Sequence, residues 1–169
     1  NAEDDRYYSH ALRRPLEAEV LADGISYVLN VPAQYGGKAP GQRAVTLVDL
    51  YTPSRTLDIL GRCGREESCE SETSISGGLT RNLHLLNGEL INARIRREEG
   101  RLARFFDADT APMDIIDELY LVALSRKPAG ATRRFWREQL ANVESVEQQQ
   151  RLLEDFLWSL LASSKFNSK

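Results

Sequence analysis

Histidine is almost missing from this chain: His10 and His84 are the only two in 169 residues. A structural zinc site draws four ligands from Cys and His, and Cys63 and Cys69 bring the whole supply to that bare number. We therefore expect no metal site. Cys-x-x-Cys-His is absent, so covalent haem attachment is excluded, and no cofactor is expected in this stretch of chain. Neither a Gly-x-Ser-x-Gly elbow nor a phosphate loop ending Gly-Lys-Ser/Thr occurs, which removes the common hydrolase and nucleotide-binding signatures. Basic charge is not in excess, with 22 Lys and Arg against 25 Asp and Glu, so nucleic acid is not the expected partner. No apolar run approaches the roughly 20 residues that cross a bilayer. The longest candidate, 152–162, carries Glu154 and Asp155, so no transmembrane segment is expected.

An ordinary globular content remains, with 41% hydrophobic and 28% charged residues, enough for one core in a chain of this length. The chain opens Asn1-Ala2 in place of methionine, which we read as a tag remnant. Residues 3–169 then form a single helical domain, expected to be a C-terminal fragment of a larger multidomain protein.

Helical spacing dominates the second half. Leu79, Leu83, Leu86 and Leu90 form one stripe that runs through Asn87-Gly88. Gly100 should break the helix before Leu102, Phe105 and Phe106. Thr110 should cap a helix carrying Met113, Ile116, Leu119, Tyr120, Ala123 and Leu124, with Asp114 at its positive end. Leu121 and Val122 widen that stripe, so the helix is expected to be buried on most sides. Lys127-Pro128-Ala129-Gly130 stops that helix, and Thr132 should cap the next, with Phe135, Trp136 and Leu140. Leu152, Leu153, Phe156, Leu157, Leu160 and Leu161 give the last helix the cleanest period.

The first half reads less clearly. A helix is expected from Pro15, burying Leu16, Val20, Ile25, Val28 and Leu29 and ending at Val31-Pro32. Residues 43–50, RAVTLVDL, alternate as an extended segment with no obvious partner strand. Ser54 should cap a short helix to Leu60. Residues 61–78 form a long loop rich in charge, Ser and Gly, a length uncommon unless it serves a function. The expected fold is mainly α, an irregular multi-helix bundle with one long loop and at most one short extended segment.

NLHLLNGELINARI (82–95), DELYLVALSRKP (117–128) and LEDFLWSLLASSKF (153–166) resemble a bacterial family abundant in planctomycetes. It is domain-of-unknown-function family fifteen fifty-three, found downstream of planctomycete cytochrome-c-type domains. TPSRTLDILGR (52–62) with SCESETS (68–74) is similar to the same family, whose corresponding stretch reads Cys-Glu-Cys-Glu-Arg. Here Ser71 and Thr73 stand where that pattern has its second Cys and its Arg. The resemblance implies a large exported protein, periplasmic or extracellular, sometimes with haem or lectin-like modules elsewhere, and no defined reaction for this segment.

Cys63 and Cys69, six apart in one polar segment, are candidates for a small disulfide or two free thiols. His84 at the edge of its stripe reads as a surface histidine, since no spacing supplies a nucleophile and a carboxylate for it. Asp114, Asp117 and Glu118 read as helix electrostatics rather than a glycosidase pair. Arg94, Arg97, Arg101 and Arg104 would share one face if Gly100 left the helix intact, and such a row could grip a polyanion.

The primary expectation is a non-catalytic accessory or interaction domain. Its partners would be other domains of the same parent chain or a surface polysaccharide. One alternative is part of a hydrolytic or redox active site for polysaccharide, in which His84, Asn87 and Arg126 meet loop carboxylates and upstream domains complete the site. The other alternative is acidic-glycan binding through the arginine row. An enclosed pocket favours the enzyme and an exposed apolar surface favours docking.

Overall fold

A computed structural model describes residues 14–49, 51–62 and 89–169. Among these, eight α-helices and one 3-10 turn account for the regular structure, as the apolar periods predict. In chain order they are α1 (Ala18–Leu29), the 3-10 turn (Ala44–Thr46), α2 (Arg55–Ile59), α3 (Glu89–Ile95), α4 (Arg101–Asp107), α5 (Pro112–Leu124), α6 (Gly130–Ala141), α7 (Val146–Ala162) and α8 (Ser164–Asn167).

Helix α7 packs on α3, α5 and α8, while α1 packs on α2, α4, α5 and the 3-10 turn. Helix α5 touches both groups and joins them. On α7, Leu153, Phe156, Leu157 and Leu161 are fully buried, and they meet Ile115, Ile116 and Leu119 of α5 in one core. Burial of each such side chain is worth about 1.5–3 kcal/mol. Aromatic rings cover the junction with α6: Trp136 meets Phe156 edge-on at 4.9 Å, and Phe156 stacks with Tyr120 at 5.9 Å. Ser145 caps α7 by accepting from Gln148 N at 3.2 Å, and the Gln148 side chain accepts from Glu144 N at 3.0 Å. The pair works as a capping box shifted by one residue.

Several expected boundaries move. Pro15 does not open α1. It bridges to Ser168, with Leu16 N donating to Asn167 O and Lys169 N to Arg14 O, so the helix begins at Ala18. Val20 is consequently 42% exposed, and Leu21 takes the buried position. Asn30 ends α1 in the left-handed region at φ 55°, and Val31 N returns to Ser26 O, the Schellman arrangement. Ala111 precedes α5 with Pro112 at its first position, and Ala129 precedes α6, so neither Thr110 nor Thr132 supplies a cap. The left-handed Ser125 ends α5, ahead of Lys127-Pro128. Ser54 caps α2 as expected, accepting from Leu57 N at 3.3 Å. Helix α8 has no counterpart in the sequence reading. It buries Phe166, whose ring tip lies 3.4 Å from where a β-carbon on Gly24 of α1 would sit.

The expected extended segment is interrupted by a 3-10 turn at Ala44–Thr46, and Leu50 lies outside the described residues. Ala44 N and Val45 N donate to the Asp23 carboxylate of α1 at 2.6 and 3.2 Å, and Arg43 lies 3.4 Å from it. With no partner strand among the described residues, the N–H groups take a carboxylate, and the chain curls into the 3-10 turn over α1. Below that turn, Arg62 donates to Thr52 O at 2.7 Å and pairs with Asp58, fastening the end of α2.

Candidate binding surfaces

The four arginines do not form a row. Gly100 separates α3 from α4, and its backbone runs close to the end of α1: a β-carbon there would sit 2.9 Å from Arg97 O and 3.6 Å from Leu29 O. This approach folds α4 back so that its Arg101 and Arg104 join Arg94 of α3 at the carbonyl end of α1. Arg94 donates to Ser26 Oγ at 2.9 Å and to Val31 O. Arg101 donates to Val28 O at 2.8 Å and Tyr27 O at 2.9 Å, and its guanidinium lies over the Tyr27 ring at 5.8 Å. Asn30, its amide oxygen turned toward Arg104, accepts from that guanidinium at 3.0 and 3.2 Å. Cations placed on unsatisfied carbonyls at a helix C-terminus also offset its dipole. Arg97 is left exposed in the turn between α3 and α4. Three of the four donors proposed for a polyanion are therefore committed to α1.

A buried tyrosine sits beside this clamp. Tyr35 is 5% exposed, and its hydroxyl has no hydrogen-bond partner among the described residues. Burial raises its pKa, the nearby Asp23 raises it further, and Arg94 acts in the opposite direction. Burial also lowers the pKa of Arg94, with Tyr35 opposing that shift.

The exposed face of α1 carries apolar side chains. Val20 and Tyr27 lie seven residues apart, on one side of the helix. Asp23, between them, holds the backbone of Val45. Val45 is 46% exposed, Tyr27 67%, Tyr51 77% and Val48 93%. The corresponding residues elsewhere, Leu121, Phe135 and Val146, belong to three different helices or helix ends.

Arg126 lies apart from both regions. It borders an open cavity of about 520 Å³ between the ends of α5 and α8, lined by Ala123, Leu124, Ser125, Lys165, Ser168 and Lys169 as well. Its guanidinium is 6.0 Å from the Tyr120 ring centre. The proposed companions His84 and Asn87 lie outside the described residues, as do Cys63 and Cys69, the 63–78 part of the loop and Gly88. Among the described residues, no three His, Cys, Asp or Glu side chains gather as a metal-holding group. No helix there is long and apolar enough to cross a membrane. Asp117 pairs with Arg133 of α6 at 2.9 Å, a tie between helices.

The clamp and the cationic cavity were both missed in the sequence. The only signal for the clamp was Gly100, whose break decides where Arg101 and Arg104 point. Comparison with protein-family models, curated proteins and solved structures finds no match for the chain in any of the three.

Proposed function

We propose that this chain is a non-catalytic accessory or interaction domain of a larger exported protein, docking onto a neighbouring domain of the same parent. The observation that supports this is the set of exposed apolar side chains on α1 and in the segment that follows it. Of the eight large hydrophobic residues exposed among the described residues, five (Val20, Tyr27, Val45, Val48 and Tyr51) fall between positions 20 and 51. Isolated exposed apolar residues are normal on a surface, whereas a concentration of them marks a contact site. Tyrosines suit such a site because they bring large contact area at low entropic cost. The Asp23 clasp and the arginine clamp fix the backbone beneath these side chains, so little order would be lost on docking. Export and the parent architecture rest on the resemblance carried by residues 82–95, 117–128 and 153–166.

The test is capture of the parent's remaining domains by this chain, with a Val45→Ser, Val48→Ser, Tyr51→Ser variant alongside. Wild type should retain them and the triple variant should lose at least tenfold in affinity. Its thermal midpoint should stay within a few degrees, because none of the three side chains belongs to the core. Equal retention by both proteins would refute docking through these side chains.

A further inference from the structure

The α1 clamp and the cavity at the ends of α5 and α8 both place cations beside helix C-termini, yet they use them differently. At α1 the arginines donate to carbonyls, to the Ser26 hydroxyl and to the Asn30 amide oxygen. In the cavity, the side chains of Arg126, Lys165 and Lys169 make no hydrogen bond or ion pair among the described residues. Lys169 takes part only through its backbone, paired with Arg14. Favourable interaction with the helix dipole explains why cations are tolerated here. It does not explain three of them around one concavity with their donors unspent.

Among the described residues no Asp or Glu lines the cavity, although acids outnumber bases in the whole chain. In the 169-residue chain Lys169 also carries its α-carboxylate, which offsets one of the three cations. Like charges gathered in this way repel, and the arrangement gains most from an anion that neutralises several at once. Arg offers a planar fork of donors and each Lys a compact point charge, a combination suited to tetrahedral oxyanions. Ser125 and Ser168 add hydroxyls to the rim, though the Ser168 hydroxyl is already donating to Ser164 O. About 520 Å³ far exceeds a lone oxyanion and lies in the usual range of small-ligand sites. Ala123 and Leu124 give the cavity an apolar side against which the body of a ligand can rest.

We propose that this cavity binds a small molecule bearing a sulfate or phosphate group, held by Arg126, Lys165 and Lys169. The site is independent of the docking side chains and stands or falls separately from them.

Titration of the 169-residue chain at low ionic strength, followed by backbone amide NMR, tests the site. The probes are inorganic phosphate, inorganic sulfate and a sulfated disaccharide. Saturable shifts should centre on Ser125, Arg126 and Lys165, leave Arg97 and Arg101 unmoved, and weaken as salt is raised. A phosphate preference points to a phosphorylated ligand, and tighter binding of the disaccharide points to a sulfated sugar. An Arg126→Gln, Lys165→Gln double variant should lose at least tenfold in affinity, while Arg97→Gln binds as wild type does. The wild-type shift map decides the matter even if the double variant folds poorly. Absence of saturable shifts with all three probes, shifts centred on the α1 clamp, or equal binding by a folded double variant would overturn the proposal.

Discussion

The contact between α5 and α7 and the seating of the 3-10 turn and α2 on α1 hold by different means. In the first, helix stripes close on each other and the buried atoms are almost all carbon, from Ile116 and Leu119 to Phe156 and Leu157. In the second, side chains grip backbone: Asp23 takes the N–H groups of Ala44 and Val45, and Arg62 takes Thr52 O. Leu57 and Leu60 supply some apolar burial there, but the path of the chain follows the polar grips. Carbon contacts tolerate small shifts and add up with area, whereas each grip depends on one pair of groups and leaves a partner unsatisfied when broken.

The largest effect should come from the carbon side. Phe156→Ala removes a ring that is 1% exposed and in contact with Tyr120 and Trp136. A loss of about 3–5 kcal/mol is expected in urea unfolding, with amide protection falling in α5 and α7 together. Retention of wild-type stability would mean that the two helices are not joined through this ring.

A smaller and local effect is expected from Asp23→Ala, which removes the acceptor of a part-buried N–H at Ala44 and of an exposed one at Val45 that water can take over. It should cost about 1–2 kcal/mol. Hydrogen exchange should quicken at Ala44 and Val45 while the amides of Leu153 to Leu161 keep their protection. Uniform acceleration across both regions would show that they unfold as one unit and erase the contrast.

Tyr35→Phe should have the smallest effect at neutral pH. It removes a buried hydroxyl that has no hydrogen-bond partner among the described residues, so stability should stay level or rise by less than about 1 kcal/mol. The difference emerges in alkali. Because the folded-state pKa lies above the ordinary 10.0, the unfolded chain releases this proton first. The stability tied to the neutral tyrosine is complete below pH 10 and is lost as pH rises through the raised folded value. Wild type should therefore weaken above pH 10 more steeply than the Phe variant in thermal melts. Parallel alkaline profiles would place Tyr35 outside this linkage.

Much of the carbon framework was legible in the sequence. The spacing of Leu152, Leu153, Phe156, Leu157, Leu160 and Leu161 gave α7 its buried face, with Leu152 alone left half-buried at its edge, and Ser54 announced the start of α2. Errors gathered where a distant group settles a local choice. Pro15 favours a helix start on local grounds, but the backbone of Asn167 to Lys169 claims its neighbours. Alternation in 43–50 suits a strand, but Asp23 answers its donors. Thr110 and Thr132 are good caps by residue type, yet the chain enters both helices one or more residues away from them. Of the candidate site residues, the fates of Arg101 and Arg104 turned on the break that ends at Gly100.

The sequence by itself determined that this protein is helical and which side of α7 turns inward, because apolar period is a local property repeated along the chain. On α5 it missed the buried Ile115 and counted the exposed Leu121. Tertiary structure alone decided what the charged groups do. An arginine has no preferred partner until folding brings a carbonyl, a ring or an open cavity within reach. Arg101 thus closes the end of α1, while Arg126 faces the cavity between α5 and α8 with its donors uncommitted.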